Sequence, residues 1–495
     1  MRAITTFSLV LSLLAASAVA QPAEKSTRQL SLADCFELAL QHNFDVQISR
    51  FGPERSGYDL EGAYGAYDPT FRVPFTHSFS SSPGRVDPIT SLRSPSSENF
   101  TENYRPQFTG RTPIGLSYTV EGGMRRSSGT SFTSFQYNAD ASVSVTQPLL
   151  KNGWIDSDRL NIAVGKNALR VSELDFTQQV MDTVLAVELA YYELIYSQDN
   201  VKVQEKALEL AERLLAENKK RVEVGALAPL DEKQAESQVA ARKADLLSAQ
   251  RELASRQNAL KNLLTDDYQS WRPTDIAPTD TLLAVPSALD VQESWNRGIN
   301  ARPEIQKLKL ALERQNITLR YNKNQLYPQL DLSLSYGHNG LGTSLDGALG
   351  GIQDGNNVPY SVGFVFSIPL NNTAARNRYK ATKVDIQRAL LELKKQEQSI
   401  VVEIDDAVKL ARTNFERVDA TRQARLYAEA ALEAEEKKLA NGKSTSFVVL
   451  QLQRDLTAAR SSELRALADY NRALAQLSRN EGVILEKNQV NIEVK

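Results

Sequence analysis

A few places in this 495-residue sequence bring together side chains of catalytic type. Gly442-Lys443-Ser444 matches the last positions of a phosphate-binding loop, in which backbone amides and a lysine cradle phosphates. The glycine needed five positions earlier is Lys437, and helix-forming residues precede it where a strand should stand. Asp405-Asp406 and Asp266-Asp267 are adjacent carboxylates. The first pair reads as a solvated helix face and the second as linker, and neither has the partners that general acid–base work needs. Cys35 is the sole cysteine, which excludes an intramolecular disulfide and a thiolate zinc site. Next to Phe36 in an apolar stretch, it reads as a buried, inert thiol. His42, His77 and His338 lie far apart in the sequence. No catalytic residue, cofactor or metal site is therefore expected, and the chain does not read as an enzyme. The 58 Lys and Arg nearly balance 60 Asp and Glu, so there is no basic surplus to bind nucleic acid.

The elements carry more information than these residues. Hydrophobic residues make up 41% of the chain and aromatics 7%, a thin supply for a large globular core. Arg2, the apolar run Ile4 to Ala16 and Ala18-Val19-Ala20 form a signal peptide over residues 1–20. Cleavage before Gln21 leaves no cysteine to carry an acyl anchor. No later stretch approaches 18 consecutive apolar residues, so any membrane passage must be made by strands.

The mature chain is duplicated. At a shift of 259 residues, Leu32 meets Val291, Phe36 meets Trp295, Asp45-Val46 meets Glu304-Ile305 and Pro69 meets Pro328. Val222-Glu223-Val224-Gly225 meets Leu439-Ala440-Asn441-Gly442 at a shift of 217, because the first copy carries extra residues in its strand region. The copies are predicted at 21–264 and 288–480, with a proline-rich linker at 265–287 and a tail at 481–495. In the first, a helix over about 31–63 precedes a strand region at 69–149, a long helix at 155–224 and a return helix at 229–264. In the second, a helix over about 288–325 precedes a strand region at 328–370, a long helix at 373–441 and a return helix at 446–480. Gly225 and Gly442 stop the long helices, and Pro229 and Ser444-Thr445-Ser446 are read as starting the return helices. Val180, Val187, Leu194, Val201, Leu208, Leu215 and Val222 keep strict heptad spacing, as in a coiled-coil seam. A helix of ~70 residues spans roughly 100 Å, and the two shorter helices of each copy match that length end to end.

The strand regions alternate with period two. Phe71, Phe75 and Phe79 are separated by polar positions, as are Tyr118 and Val120, Val143 and Val145, and Leu330 to Tyr336. Strands of about ten residues with one apolar and one polar face suit a water-filled barrel in lipid. Each copy begins and ends on the same side of the membrane, so its crossings are even in number. The second copy shows two; the first allows two or four, the segment after Thr109-Gly110-Arg111-Thr112-Pro113 being the undecided one.

In this order of elements the chain resembles the outer-membrane efflux protein family, the TolC-like channels of tripartite efflux pumps and type I secretion systems. The resemblance rests on Leu32-Ala33 through Asp45-Val46, Asn300 to Ile305, Tyr327-Pro328-Gln329-Leu330 and the two glycine turns. It implies a mixed α/β membrane protein. A homotrimeric outer-membrane β-barrel of 12 strands, or 18 if the first copy crosses four times, continues into a periplasmic α-helical coiled-coil barrel. It also implies a passive exit duct, working with a periplasmic adaptor (membrane fusion) protein and, through it, an inner-membrane pump. Closure supports oligomerisation independently, since one protomer has too few strands and columns to surround a lumen. A stand-alone porin and a periplasmic coiled-coil scaffold are the other readings. The tips Val224, Gly225, Ala226, Leu227 and Asn441, Gly442, Lys443, Ser444 are expected to dock the adaptor. The basic Lys219-Lys220-Arg221 and Lys437-Lys438 also suit helix C-termini. Acidic residues line the family's periplasmic constriction. Asp231 matches such a position, but Val448 and Gln451 stand where acidic residues are usual. A constriction closed mainly by Phe447 and its apolar neighbours is expected.

Overall fold

The computed structural model of the protein describes residues 27–130 and 132–491; the predicted signal peptide and the last four residues of the predicted tail lie outside the described residues. Strand β1 (Thr27–Leu30) leads into helices α1 (Leu32–His42) and α2 (Phe44–Tyr64). Ser31 and Asp34 start α1 with a reciprocal capping box. The helix predicted to run unbroken is interrupted at Asn43, whose side chain caps α2 by accepting from the Asp45 and Val46 amides. An Asn side chain that satisfies orphan amides favours a new helix start over continuation. The strand region holds β2 (Thr70–Arg72), β3 (Phe75–Ser82), β4 (Ser97–Tyr104), β5 (Gln107–Arg111), β6 (Ser117–Gly129) and β7 (Gln136–Pro148). Helices α3 (Ser157–Glu223) and α4 (Pro229–Leu264) follow.

The proline-rich linker is structured. It contains α5 (Tyr268–Trp271) and β8 (Asp275–Pro278), and β8 pairs in parallel with β1. The second half again sets helices before and after strands. It runs through α6 (Val291–Ala301), α7 (Pro303–Asn324), β9 (Gln329–Gly342), α8 (Leu345–Gln353), β10 (Tyr360–Ser367), α9 (Thr373–Ala440) and α10 (Ser446–Asn480), and ends in α11 (Ile484–Lys487). The break between α6 and α7 falls at Arg302, with Pro303 in the first turn of α7.

Helix α3 has 67 residues and α9 has 68, each roughly 100 Å long. The heptad seam of α3 is buried at Val180, Val187 and Leu194. Towards the tip the buried stripe moves to Ala207, Ala211, Leu214 and Asn218, leaving Leu208, Leu215 and Val222 half-buried. A helix of 3.6 residues per turn drifts ~20° per heptad against a strict 3.5 repeat, so a straight column changes its contact face along its length. The main core lies where α3 meets α1, the end of α4, β8 and α11, and includes Cys35, Phe36, Val187, Leu260, Ile276 and Ile484. Burial pushes the Cys35 thiol up to about 12. The segment predicted as a tail is anchored at its start by Ile484.

Apart from the β1–β8 pair, the strands form one sheet in the order β10-β9-β7-β6-β4-β3, with β2 and β5 continuing β3 and β4. Because β2 with β3, and β4 with β5, are successive pieces of one strand track, the sheet is six tracks wide. Pro74 and Pro106 sit at the interruptions, where a missing amide donor breaks the ladder. The predicted Thr109 to Pro113 turn lies later than expected. Thr109 to Arg111 belong to β5, and the chain reverses over 112–116, with Gly115 at φ +85°. Ser117 to Val120 are paired on both sides, to β5 and to β7.

Register aligns the faces. Tyr360, Tyr336, Val143, Val120, Phe108 and Phe71 form one row with one residue in each strand track. All six are exposed in the protomer. The adjacent row, on the other face, is Ser361, Ser335, Ser144, Thr119, Thr109 and Thr70, a hydroxyl in every strand track.

Candidate functional site at the helical tips

The two turns between long and return helices are built alike. Gly225 lies at φ +75° and Gly442 at φ +69°, where a β-carbon would be strained. After α3 the Gly225 amide donates to Val222 O and the Ala226 amide to Arg221 O. After α9 the Gly442 amide donates to Leu439 O and the Lys443 amide to Lys438 O. Both are Schellman turns, which satisfy the last helical carbonyls. Val224, Gly225, Ala226, Asn441, Gly442 and Lys443 are exposed, Val224 at 78%; Leu227 and Ser444 are half-buried.

The serine-threonine run does not cap α10 as its residue types suggest. Thr445 is the N-cap residue without a side-chain bond. The Ser444 hydroxyl turns back to Glu435, and the buried Ser446 hydroxyl donates 2.9 Å to Asn218 Oδ1 on α3. The Arg221 guanidinium donates 3.2 Å to Leu439 O. Arg221, Asn218 and Ser446 thus fasten the two tips of one protomer together, a role hidden in the sequence because the partners are more than 200 positions apart. Lys437 and Lys438 act locally, Lys437 on Glu433 at 2.7 Å and Lys438 on Glu435 at 2.8 Å.

The predicted constriction residues divide between the hairpins. Asp231 is half-buried in the first turn of α4, its amide donating to Ala228 O. Phe447, Val448 and Gln451 are exposed in the first turns of α10. Helix α3 packs along both α4 and α10, which barely touch each other. Val449, expected to add to the apolar constriction, is 1% exposed and packs with Leu214, Leu432, Leu439 and Leu456. Helical geometry decides this, since successive residues point about 100° apart and only part of an apolar run can face one way.

Sequence and structure comparisons agree with this architecture. The profile of the family described as outer membrane efflux protein matches residues 113–265 and 296–482. Outer membrane protein TolC of Vibrio cholerae is 25% identical over 364 residues, which cover 71% of this chain and 78% of that protein. The outer-membrane channel OprN superposes with a TM-score of 0.66 at 18% identity, over 91% of this chain and 89% of that one. The outer membrane protein VceC of Vibrio cholerae superposes with a TM-score of 0.64 at 16% identity, over 91% of this chain and 96% of that one. The chain belongs to the outer membrane efflux protein family, and is an outer-membrane efflux channel subunit that extends into the periplasm.

Proposed function

We propose that three copies of the chain close into one continuous duct, an 18-stranded barrel in the outer membrane carried on a periplasmic barrel of helices. The paired rows carry this reading: six strand tracks, each with an apolar residue on one face and a hydroxyl on the other. An open sheet cannot face lipid with unpaired edges, and here β10 and β3 are both edges. The helices support the same conclusion. Phe44, Ile48 and Phe51 on α2, and Val384, Leu391 and Val402 on α9, are exposed apolar stripes suited to neighbouring copies. The duplicated order of elements gives each copy matched columns.

The duct is passive. Its helices carry the tips roughly 100 Å from the barrel, where a periplasmic adaptor coupled to an inner-membrane pump docks on Val224 to Leu227 and Asn441 to Ser444. The constriction is formed mainly by Phe447 and Val448, with at most one acidic ring from Asp231. An apolar constriction resists ions by dewetting.

Native mass measurement in detergent is expected to give a trimer; a monomer or tetramer overturns closure. Val120→Cys should react with a lipid-soluble reagent and Thr119→Cys with a water-soluble one; Val120→Cys accessible only to water favours twelve strands. Gly442→Val should impair adaptor docking while sparing the trimer. Bilayer conductance should be low, rise in Phe447→Ala and respond weakly to multivalent cations on the periplasmic side. Tight cation block abolished by Asp231→Ala would assign the gate to the acidic ring.

A further inference from the structure

The loop between β9 and β10 contains the nine-residue helix α8, which folds back onto the sheet. It lies on the apolar face. A β-carbon built on Gly340 or Gly342 would collide with the Ala348 backbone, and both glycines share the face of Leu334 and Tyr336. Ala139, aligned with Gly340 on that face, is 3% exposed, and Ala348 is fully buried. Glycine and alanine thus leave a shallow seat in the wall, and α8 fills it.

The depth of this seat follows from the register. Ten residues separate Leu330 from Gly340. They rise ~33 Å along a strand, or about 25 Å along the membrane normal at a ~40° tilt, which is the height of the apolar band of an outer-membrane barrel. One row above Gly340, the same face turns charged. Arg126 pairs with Glu102 at 3.2 Å, and Glu102 with His77 at 3.4 Å. Such a row belongs at headgroup level, so α8 lies at the upper border of the hydrocarbon.

Two features select the occupant of its outer surface. Leu345 and Leu349 remain exposed, one helical turn apart, and Asp346 is the only charged residue between Leu341 and Gln353. The helix leans from β9 over β7, away from the β10 edge that meets the next copy. Lipid, in continuity with the apolar band below, is what remains to cover them.

We propose that α8 is an interfacial helix that inserts Leu345 and Leu349 among the acyl chains of the outer leaflet, clipping the extracellular end of the barrel wall to the membrane surface. This rests on the barrel reading above. The test uses the full-length protein with single fluorophores on Leu349→Cys, Leu332→Cys and Ser335→Cys; the buried native Cys35 does not compete for label. In vesicles containing lipid nitroxide-labelled near the headgroup, Leu349→Cys should lose most of its emission to the lipid quencher and little to aqueous iodide. Quenching by iodide instead would mean that α8 faces water, and protection from both quenchers would mean a protein-covered helix; either overturns the proposal. Leu332→Cys should be quenched by lipid nitroxides set deeper, and Ser335→Cys by iodide alone. If those two controls fail, the barrel reading itself fails, and the interfacial helix falls with it.

Discussion

The two return helices, α4 and α10, have nearly the same length, 36 and 35 residues, and both follow a glycine-turned Schellman motif. Their surroundings differ. Along α4 the buried residues are Ala235, Ala249 and then a group at its end, Leu260, Lys261 and Leu264. Along α10 burial runs from Ser446 to Arg479 and includes Val449, Leu456, Ala466, Tyr470 and Leu477. The reason is position. Helix α10 packs against both α9 and α3, whereas α4 lies chiefly along α3. Charge follows the same division. Arg465 and Arg472 of α10 both reach Glu193 on α3, at 3.0 and 2.6 Å, and Arg479 reaches Asp182 and Glu304. On α4, Lys233 and Arg242 pair one turn along their own helix. Two helices that follow the same kind of turn therefore do different work: α10 holds the protomer together, and much of the length of α4 is left exposed.

The largest effect should come from emptying the middle of α10. Tyr470 is 2% exposed, stacks near Phe415 at 5.4 Å and donates 2.6 Å to Val285 O. Tyr470→Ala should destabilise the protomer by about 3–5 kcal/mol, read by denaturant unfolding in detergent. An unchanged midpoint would break the comparison.

Acid should loosen α10 next. Burial raises the Glu304 carboxyl, but hydrogen bonds from Arg302 and the charges of Arg479 and Arg302 outweigh it and hold it at about 2, against an ordinary 4.5. A lowered carboxyl contributes stability that is complete above its unfolded value and is lost as pH falls through the folded one. Up to roughly 3 kcal/mol per protomer should disappear between about pH 4.5 and 2. Glu304→Gln should flatten that part of the stability profile; a profile that keeps its slope would show that other carboxylates govern it.

Glu193→Gln should cost about 2 kcal/mol, because it weakens charge-assisted bonds to two arginines of α10 at once. The counterpart on α4, Arg242→Ala, should stay within about 0.5 kcal/mol. Equal losses would mean that the helices are fastened alike. Smallest within the protomer is Leu247→Asp, at an exposed apolar position of α4, expected to change protomer stability by about 0.5 kcal/mol or less. Its readout is assembly: native mass should show fewer trimers, and an intact trimer would remove α4 from the subunit interface.

Much of this architecture was legible from spacing. The return helix at 229–264 matches α4 residue for residue, because Gly225 and Pro229 act locally through φ. Strand faces were readable for the same reason, since period two belongs to the backbone. The breaks at Asn43 and Arg302 were not, because an unbroken helical pattern can still be divided by one side chain that caps a new start. The tip fastening by Asn218, Ser446 and Arg221 left no local trace either.

By itself, the sequence determined the main kinds of element, their order and the ends of the long and return helices marked by glycine and proline. Those depend on propensity, periodicity and φ, which act over a few residues. Only the tertiary structure decided the rest. Ser117 to Val120 entered the sheet because partners stood on both sides. The linker became β8 because β1 lay beside it. Val449 turned inward while Phe447 stayed exposed because α3 and α9 occupied one side of α10. Contacts between residues hundreds of positions apart are set by which surfaces meet once the columns stand together, and no local pattern carries that information.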